Sequence, residues 1–386
     1  MRYITATQIF SGQTFLPTNT VIAISNEGLI TDVISKEVIE ANEIEHFEGI
    51  ITAGFINAHC HLELSHLKNN INKHTGIVDF GLEVIKQRHQ TPLEIQEERM
   101  QQADAAMYEA GIVAVGDISN TTQSIAVKKQ SKICYHTFVE LIGLNPARAH
   151  ETFDKGREVL THFILKDLAC SMAAHAPYSV SPQLISDITA LCLQTNQPTS
   201  IHNQESQAEN VFFKYKTGNY LNLYNTLNLP LDFFEPTGLS SLQSVLPFFE
   251  KEVTTQLVHN SFTDKEDIIK AKAYLQNPVW CLCPNANLYI EQVMPPLNLL
   301  MEQQCMLTIG TDSLASNSQL SIIEEINSIL KYFPTIPLEA LLQAATINGA
   351  QFLNLQNTLG SIEKNKTPGL NVLKKGKDGY SVKKIS

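Results

Sequence analysis

Ile50-Ile51-Thr52-Ala53-Gly54-Phe55-Ile56-Asn57-Ala58-His59-Cys60-His61 is the stretch that decides the fold. Its first nine residues read as a buried strand, and that strand opens directly into two histidines one residue apart. Alternate side chains of an extended chain share a face, so both imidazoles point the same way. Neutral imidazole is a common ligand for zinc or iron. A single histidine on an apolar face needs no special explanation, whereas two on one face at the mouth of a strand point to metal.

Outward from this strand, short β-rich runs alternate with helical stretches. With Ile50–Ala58 as the first, the others are Ile112–Ile118, Ile133–Leu141, Ala169–Ala174, Pro198–Ile201, Thr255–Val258, Pro278–Cys283 and Met306–Thr311. Helical spacing marks Glu94–Ala110, Pro146–Leu165, Pro182–Thr195, Thr263–Leu275 and Leu320–Tyr332. Near-continuous apolar strands separated by helices predict parallel sheet covered on its outer face. Eight such units predict an α/β fold, a (β/α)8 TIM-like barrel. Tyr3–Ile34 alternates strand-like pieces with turn signals at Ser11-Gly12 and Asn26-Glu27-Gly28, and Leu359–Ile362 and Pro368–Val372 look alike. Neither end is large enough to stand alone. The expected organisation is one small β-sandwich domain built from both termini, residues 1–49 and 353–386, beside a barrel over residues 50–352.

Composition narrows the function classes. The 386 residues are 43% hydrophobic and 17% charged, with a net charge of −11 and only the short basic pairs Lys374-Lys375 and Lys383-Lys384. Such a surface repels polyanions, so no nucleic acid is expected as a partner. No apolar stretch reaches the roughly 18 residues of a membrane helix, and Met1-Arg2-Tyr3-Ile4-Thr5 lacks the apolar core of a signal peptide. The expectation is a soluble cytoplasmic protein with no membrane partner. Seven cysteines, among them Cys134, Cys170, Cys192 and Cys305, are an odd number scattered through apolar runs, the pattern of reduced thiols. No helix announces an interface, and a homo-oligomer stays open.

The polar residues at the strand exits fall into line. His59 and His61 follow the first strand, His175 the fourth, His202 the fifth, His259 the sixth and Asp312 the eighth. In a barrel of this kind catalytic residues gather at the C-terminal face, so residues far apart in sequence converge on one ion. The expected ligands are His59, His61, His202 and Asp312, holding one divalent metal per chain, zinc or alternatively iron, with one position left for water. Such a site lowers the pKa of bound water from about 15.7 toward 7 and presents hydroxide to an electrophilic carbon. Glu205, three residues after His202, is placed to accept the water's proton and pass it to a substrate ring nitrogen. The alternative for Glu205 is a solvated loop acid. His259 orients the hydroxide or polarises the departing group, and Asp312 doubles as ligand and proton carrier, which makes Glu205, His259 and Asp312 the catalytic set.

Taken together, Gly54-Phe55-Ile56-Asn57-Ala58-His59-Cys60-His61, His175-Ala176-Pro177-Tyr178, His202-x-x-Glu205, Val258-His259-Asn260 and Gly310-Thr311-Asp312-Ser313 resemble the amidohydrolase superfamily. Specifically, they resemble its mononuclear branch of cytosine, guanine and S-adenosylhomocysteine deaminases and chlorohydrolases. The flanking Leu359-Gly360-Ser361-Ile362-Glu363-Lys364 and Pro368-Gly369-Leu370-Asn371-Val372 match as well, so the resemblance covers nearly the whole chain. Dinuclear members carry a lysine at the end of the fourth strand. Here His175 stands at that place, which implies one metal and a histidine that touches substrate. His61-Leu62-Glu63-Leu64-Ser65 is similar to the first-strand motif of aminofutalosine deaminases, with Glu63 either at the substrate or anchoring its loop through backbone hydrogen bonds. A different zinc deaminase class is excluded: His61-Leu62-Glu63 satisfies its H-x-E half, but Cys281-Leu282-Cys283-Pro284 does not supply P-C-x-x-C. Phosphate-loop, H-E-x-x-H and G-x-S-x-G signatures are absent too.

Specificity must come from loops. The informative segments are Leu62–Pro92, Asn203–Leu246 and Asn285–Tyr289, with Phe80, Phe212, Phe213, Tyr215, Tyr220 and Tyr224 read mostly as local core. His175, Glu63, Asn285 and Ser313 are the expected substrate-binding residues. The expected activity is that of a hydrolase acting on carbon–nitrogen bonds: deamination of a small heterocycle, an adenine-type nucleoside derivative, with release of ammonia. The alternatives are the same metal site used as a chlorohydrolase or as a cyclic-amide or amine hydrolase, and a non-enzymatic metal-binding scaffold.

Overall fold

The computed structural model describes residues 1–386. The chain begins with β1 (Arg2–Ile9), β2 (Thr20–Ile24), β3 (Ile30–Ser35) and β4 (Ile44–Ala53), and a single residue, Gly54, separates β4 from β5 (Phe55–Cys60). β4 and β5 lie in different sheets, so the run expected as one strand, Ile50–Ala58, is two. The cause is the crossing at Gly54. Its N–H lies 3.1 Å from the carbonyls of Pro368 and Gly369, and a Cβ there would stand 2.3 Å from Val113 Cγ1. Only glycine lets the chain pass this close, and an unbroken apolar run does not show a change of sheet.

The remaining strands are β6 (Ile112–Ser119), β7 (Cys134–Leu141), β8 (Ala169–Ala174), β9 (Thr199–Asn203), β10 (Thr255–His259), β11 (Pro278–Leu282), β12 (Met306–Ile309), β13 (Leu370–Lys375) and β14 (Tyr380–Lys384). β5 to β8 form one parallel sheet and β9 to β12 a second, each in chain order with helices between strands, as α/β architecture requires. The two sheets touch at both seams. Cys60 bridges to Asp312, and the His202 N–H donates to the His175 carbonyl at 2.9 Å. Between the sheets Ile56, Ala58, Phe138, Ala173, Val258 and Val279 pack with Phe352. Above them Gln256 reaches across, accepting from Ser200 and donating to the Ala58 carbonyl and to Thr308.

The two termini meet in one six-stranded sheet ordered β14-β13-β4-β1-β2-β3. The β-sandwich expected there is thus a single sheet in its hydrogen bonding. β13 adds edge to edge onto β4, pairing Leu370 with Ala53 and Leu373 with Ile50. Ile4, Ile22, Ile51, Leu370 and Val372 form its apolar face. No helix is long and apolar enough to cross a membrane.

One buried ion pair fixes where the chain leaves β5. Lys128 Nζ lies 2.6 Å from Asp117 Oδ2, both side chains fully buried, and Lys128 also donates to Ser119 and Thr137. Asp117 Oδ1 in turn accepts the Leu62 N–H at 2.8 Å, the first residue after His61.

Candidate active site

His59 lies within β5, His202 within β9 and His259 at the last position of β10, so each ring is held by a strand rather than by a loop. Asp312 follows β12 and is drawn to β5 by Asn57, whose side chain accepts the Thr311 N–H at 3.1 Å and donates to the Thr311 hydroxyl at 2.8 Å. Gly310 permits the approach, since a Cβ there would stand 2.7 Å from His59 Cβ. His259 (φ 74°) and Asp312 (φ 56°) both adopt the left-handed conformation, uncommon outside glycine and concentrated at sites where geometry outranks backbone comfort.

The result is a convergence of donor atoms. His61 Nε2 lies 3.2 Å from His59 Nε2, 3.2 Å from His202 Nε2 and 3.3 Å from Asp312 Oδ1, and His59 Nε2 lies 3.6 Å from the same oxygen. Four ligands at zinc–nitrogen and zinc–oxygen lengths of about 2.0–2.1 Å sit about 3.3 Å apart at the corners of a tetrahedron. These four side chains therefore fit one divalent ion. His259 joins a looser set with His59, His202 and Asp312, within 4.8 Å of one another. The shorter separations go with His61, and His259 stands at the edge of the group.

The tautomers agree with this assignment. His202 Nδ1 donates to the His175 carbonyl at 2.7 Å, and His259 Nδ1 donates to Asn287 Oδ1 at 2.7 Å, so both rings turn an Nε2 lone pair inward. Burial pushes His59 down to about 4 and His61 to about 3 against the pull of Asp312, and these rings are neutral near pH 7. Asp312 goes the other way. Burial alone would raise its carboxyl, but hydrogen bonding to His59 and the fields of His61 and His259 hold it well below the usual range. Its second oxygen accepts from Ser316.

Glu205 is buried, with Oε1 3.6 Å from His259 Nε2. Burial pushes its carboxyl up to about 8, with His202 opposing and Asp312 reinforcing the rise. An acid that keeps its proton near neutrality beside a metal-binding cluster can hold and transfer a proton.

His61, His202, Glu205, His259 and Asp312 line a cavity of about 740 Å³, which His175, Ser313, Phe80, Tyr220 and Tyr224 also line. Phe212 and Phe213 pack into the protein around Phe234, and Tyr215 is exposed. Two expected substrate residues stand elsewhere. Glu63 turns away and accepts from the Asn120 N–H at 3.1 Å and the Thr121 hydroxyl at 2.9 Å, anchoring its loop. Asn285 donates to Glu325 and accepts from Ser328 outside this cavity. Glu63 is spent on tying the turn after β5 to the segment after β6, and Asn285 on joining the helices Pro284–Ile290 and Ile322–Tyr332. Sequence reasoning missed Glu140, at the end of β7, whose Oε1 lies 3.5 Å from His202 Nδ1. A lone acid at the end of the run Phe138-Val139 was the available signal.

The sequence pattern of the amidohydrolase family matches residues 50–385. The chain belongs to the amidohydrolase family. It is a hydrolase acting on carbon–nitrogen bonds. An adenosine deaminase of Helicobacter pylori (strain ATCC 700392 / 26695) is 28% identical over 340 residues, covering 85% of this chain and 80% of the relative. The crystal structure of H. pylori aminofutalosine deaminase in complex with methylthio-coformycin matches 100% of both chains with a TM-score of 0.81 at 23% identity. A zinc-bound adenosine deaminase structure from Xanthomonas campestris matches 96% of this chain and 84% of its own with a TM-score of 0.71 at 20% identity. At these identities the two structures show a shared fold.

Proposed function

We propose that this amidohydrolase is a hydrolytic deaminase that converts the amino-bearing ring of an adenine-type nucleoside derivative to its 6-oxo form and releases ammonia. The observation that carries the reading is the convergence of His59, His202 and Asp312 on His61, at 3.2–3.3 Å from its Nε2, beside a carboxyl, Glu205, that burial holds near 8. The names of the relatives, adenosine and aminofutalosine deaminases, support it. The architecture proposed around the site is a closed (β/α)8 barrel, supported by the contacts at both seams, with the terminal β unit divided from it at Gly54 and again after Phe352. All seven cysteines are free, in keeping with the reducing cytoplasm proposed as its location.

His59, His61, His202 and Asp312 would hold one divalent ion, zinc in first place and iron(II) as the alternative. When bound, that ion supplies Lewis acidity, bringing the pKa of water from about 15.7 toward 7. The chain's own groups carry the protons. Glu205, which burial keeps protonated, delivers its proton to the ring nitrogen next to the amine-bearing carbon as the oxygen adds to that carbon, and takes one proton from the attacking water in return. His259, its Nε2 facing Glu205 and its Nδ1 fixed by Asn287, orients the adding oxygen. Asp312 carries the remaining hydroxyl proton to the amine, whose bond to carbon then breaks with its electron pair, leaving ammonia and a ring carbonyl. Water in and ammonia out balance the reaction. Ser313 and His175, on the cavity wall, contact the substrate.

Ammonia release by the metal-loaded protein decides the matter, with adenosine, methylthioadenosine, adenosylhomocysteine and aminofutalosine assayed beside guanine, cytosine, pterins and a chlorinated triazine. Turnover of the adenine nucleosides is the expected result. Turnover confined to a non-purine ring or to chloride release overturns the proposal.

A further inference from the structure

The cavity holds one acid that the proposed reaction does not use. Glu140 is 6% exposed and stands on the same wall as His175 and His202. Its Oε2 accepts from Asn120 Nδ2 at 2.9 Å, while its Oε1 is buried without a hydrogen-bond partner. The nearest ring nitrogen, His202 Nδ1 at 3.5 Å, cannot satisfy it, because that nitrogen's only hydrogen is donated to the His175 carbonyl at 2.7 Å. Asn120 cannot turn to help. Its backbone N–H goes to Glu63, and its Oδ1 accepts from Arg88 Nη2 at 3.3 Å.

Donor atoms of Glu140, His175 and His202 lie within 4.8 Å of one another, but a second metal there fails for the same reason, since the His202 nitrogen on that side is already protonated and bonded. A buried carboxylate oxygen left free costs stability unless a partner brings it a proton to share. The groups able to do so on a nucleoside, away from the reacting ring, are sugar hydroxyls, and carboxylates read such hydroxyls at dinucleotide sites. We infer that Glu140 Oε1 accepts a hydrogen bond from a ribose hydroxyl of the substrate and thereby selects ribonucleosides over their deoxy counterparts. This rests on the deaminase reading above.

The test compares kcat/KM for adenosine, 2′-deoxyadenosine and 3′-deoxyadenosine in the metal-loaded wild type, Glu140→Gln and Glu140→Ala, with metal content and melting midpoint measured on each. In the wild type, loss of the contacted hydroxyl is expected to cost about 10- to 100-fold, the range for a hydrogen bond to a charged group. In Glu140→Ala, adenosine falls to the level of that deoxy substrate, and the ratio collapses to within about threefold. The isosteric Glu140→Gln gives the same narrowing if alanine at this position fails to fold. A wild type that treats all three alike, a ratio unchanged in the variants, or an equal loss on every substrate with metal content lowered each overturns the inference. The last is what mere support of His202 would produce. If no adenine nucleoside releases ammonia, the deaminase reading fails on its own. Calorimetry of inosine against 2′- and 3′-deoxyinosine then decides Glu140 separately, with equal affinities or no binding counting against it.

Discussion

Glu205 and Asp312 are both buried carboxyls, yet their surroundings drive them apart, one up to about 8 and the other well below its usual range. That separation supports the proposed proton-holding role of Glu205 and ligating role of Asp312, and Glu205→Gln tests it. The variant should keep one equivalent of metal by elemental analysis while turnover falls roughly 10²–10⁴-fold, the usual loss with a general acid–base residue. His61→Ala should lose the metal itself, since His61 makes the three shortest separations in the cluster. Outside the site, burial and, secondarily, Lys128 push His136 down to about 4. An unfolded imidazole binds a proton below about 6.5, so between 6.5 and 4 the unfolded chain takes up a proton that the folded one refuses. The stability held above 6.5 is therefore lost as pH falls through that window. Replacing His136 with glutamine should flatten this stretch of a denaturation-versus-pH curve. The convergence of His59, His61, His202 and Asp312 was legible in the sequence because strand exits in this architecture face one way. For Glu63 the anchoring alternative is the one the structure has, and Asn285 turns to Glu325 of a neighbouring helix, because the direction a side chain takes past a strand end depends on partners such as Thr121 and Glu325 that spacing does not encode.

Elements with strong end signals were legible almost to the residue. The helix Pro182–Thr195 begins after Ser181, whose side chain accepts the Leu184 N–H, and stops at Asn196 in a left-handed conformation (φ 51°). Strand β4 was not, since its boundary with β5 is written only in the absence of a side chain at Gly54. The tie between β6 and the segment after β5 was likewise hidden, because Lys128 sits in an ordinary-looking Val127-Lys128-Lys129 stretch and only folding buries it against Asp117. Lys128→Met leaves Asp117 charged and alone, and should destabilise the protein by about 3–5 kcal/mol in urea titration. Pairing it with Asp117→Asn should restore much of the loss. A double variant no better than the single one would show that the pair acts through the Leu62 N–H rather than through its charge.

At the scale of the whole molecule, the site belongs to neither parallel sheet alone: His59 and His61 come from the β5 side, His202 and Asp312 from the β9–β12 side. Metal should therefore fasten one sheet to the other, and its removal by chelation should lower the melting midpoint by several degrees, as loss of any ligand held well above its dissociation constant does. An unchanged midpoint would place the ion elsewhere. That eight parallel strands alternate with helices was legible from their count and apolar character. The order of the terminal sheet was not, because nothing in Leu370–Lys375 names β4 as its partner. The spread of the ligands along the chain also bears on how the protein is made. The two earliest ligands leave the ribosome about 250 residues before the last, a delay of roughly 10–50 s at ordinary rates of synthesis. During that time His59 and His61 would offer a divalent ion only a two-armed grip, so with the proposed ligand set the ion is captured by the finished fold rather than by the emerging chain.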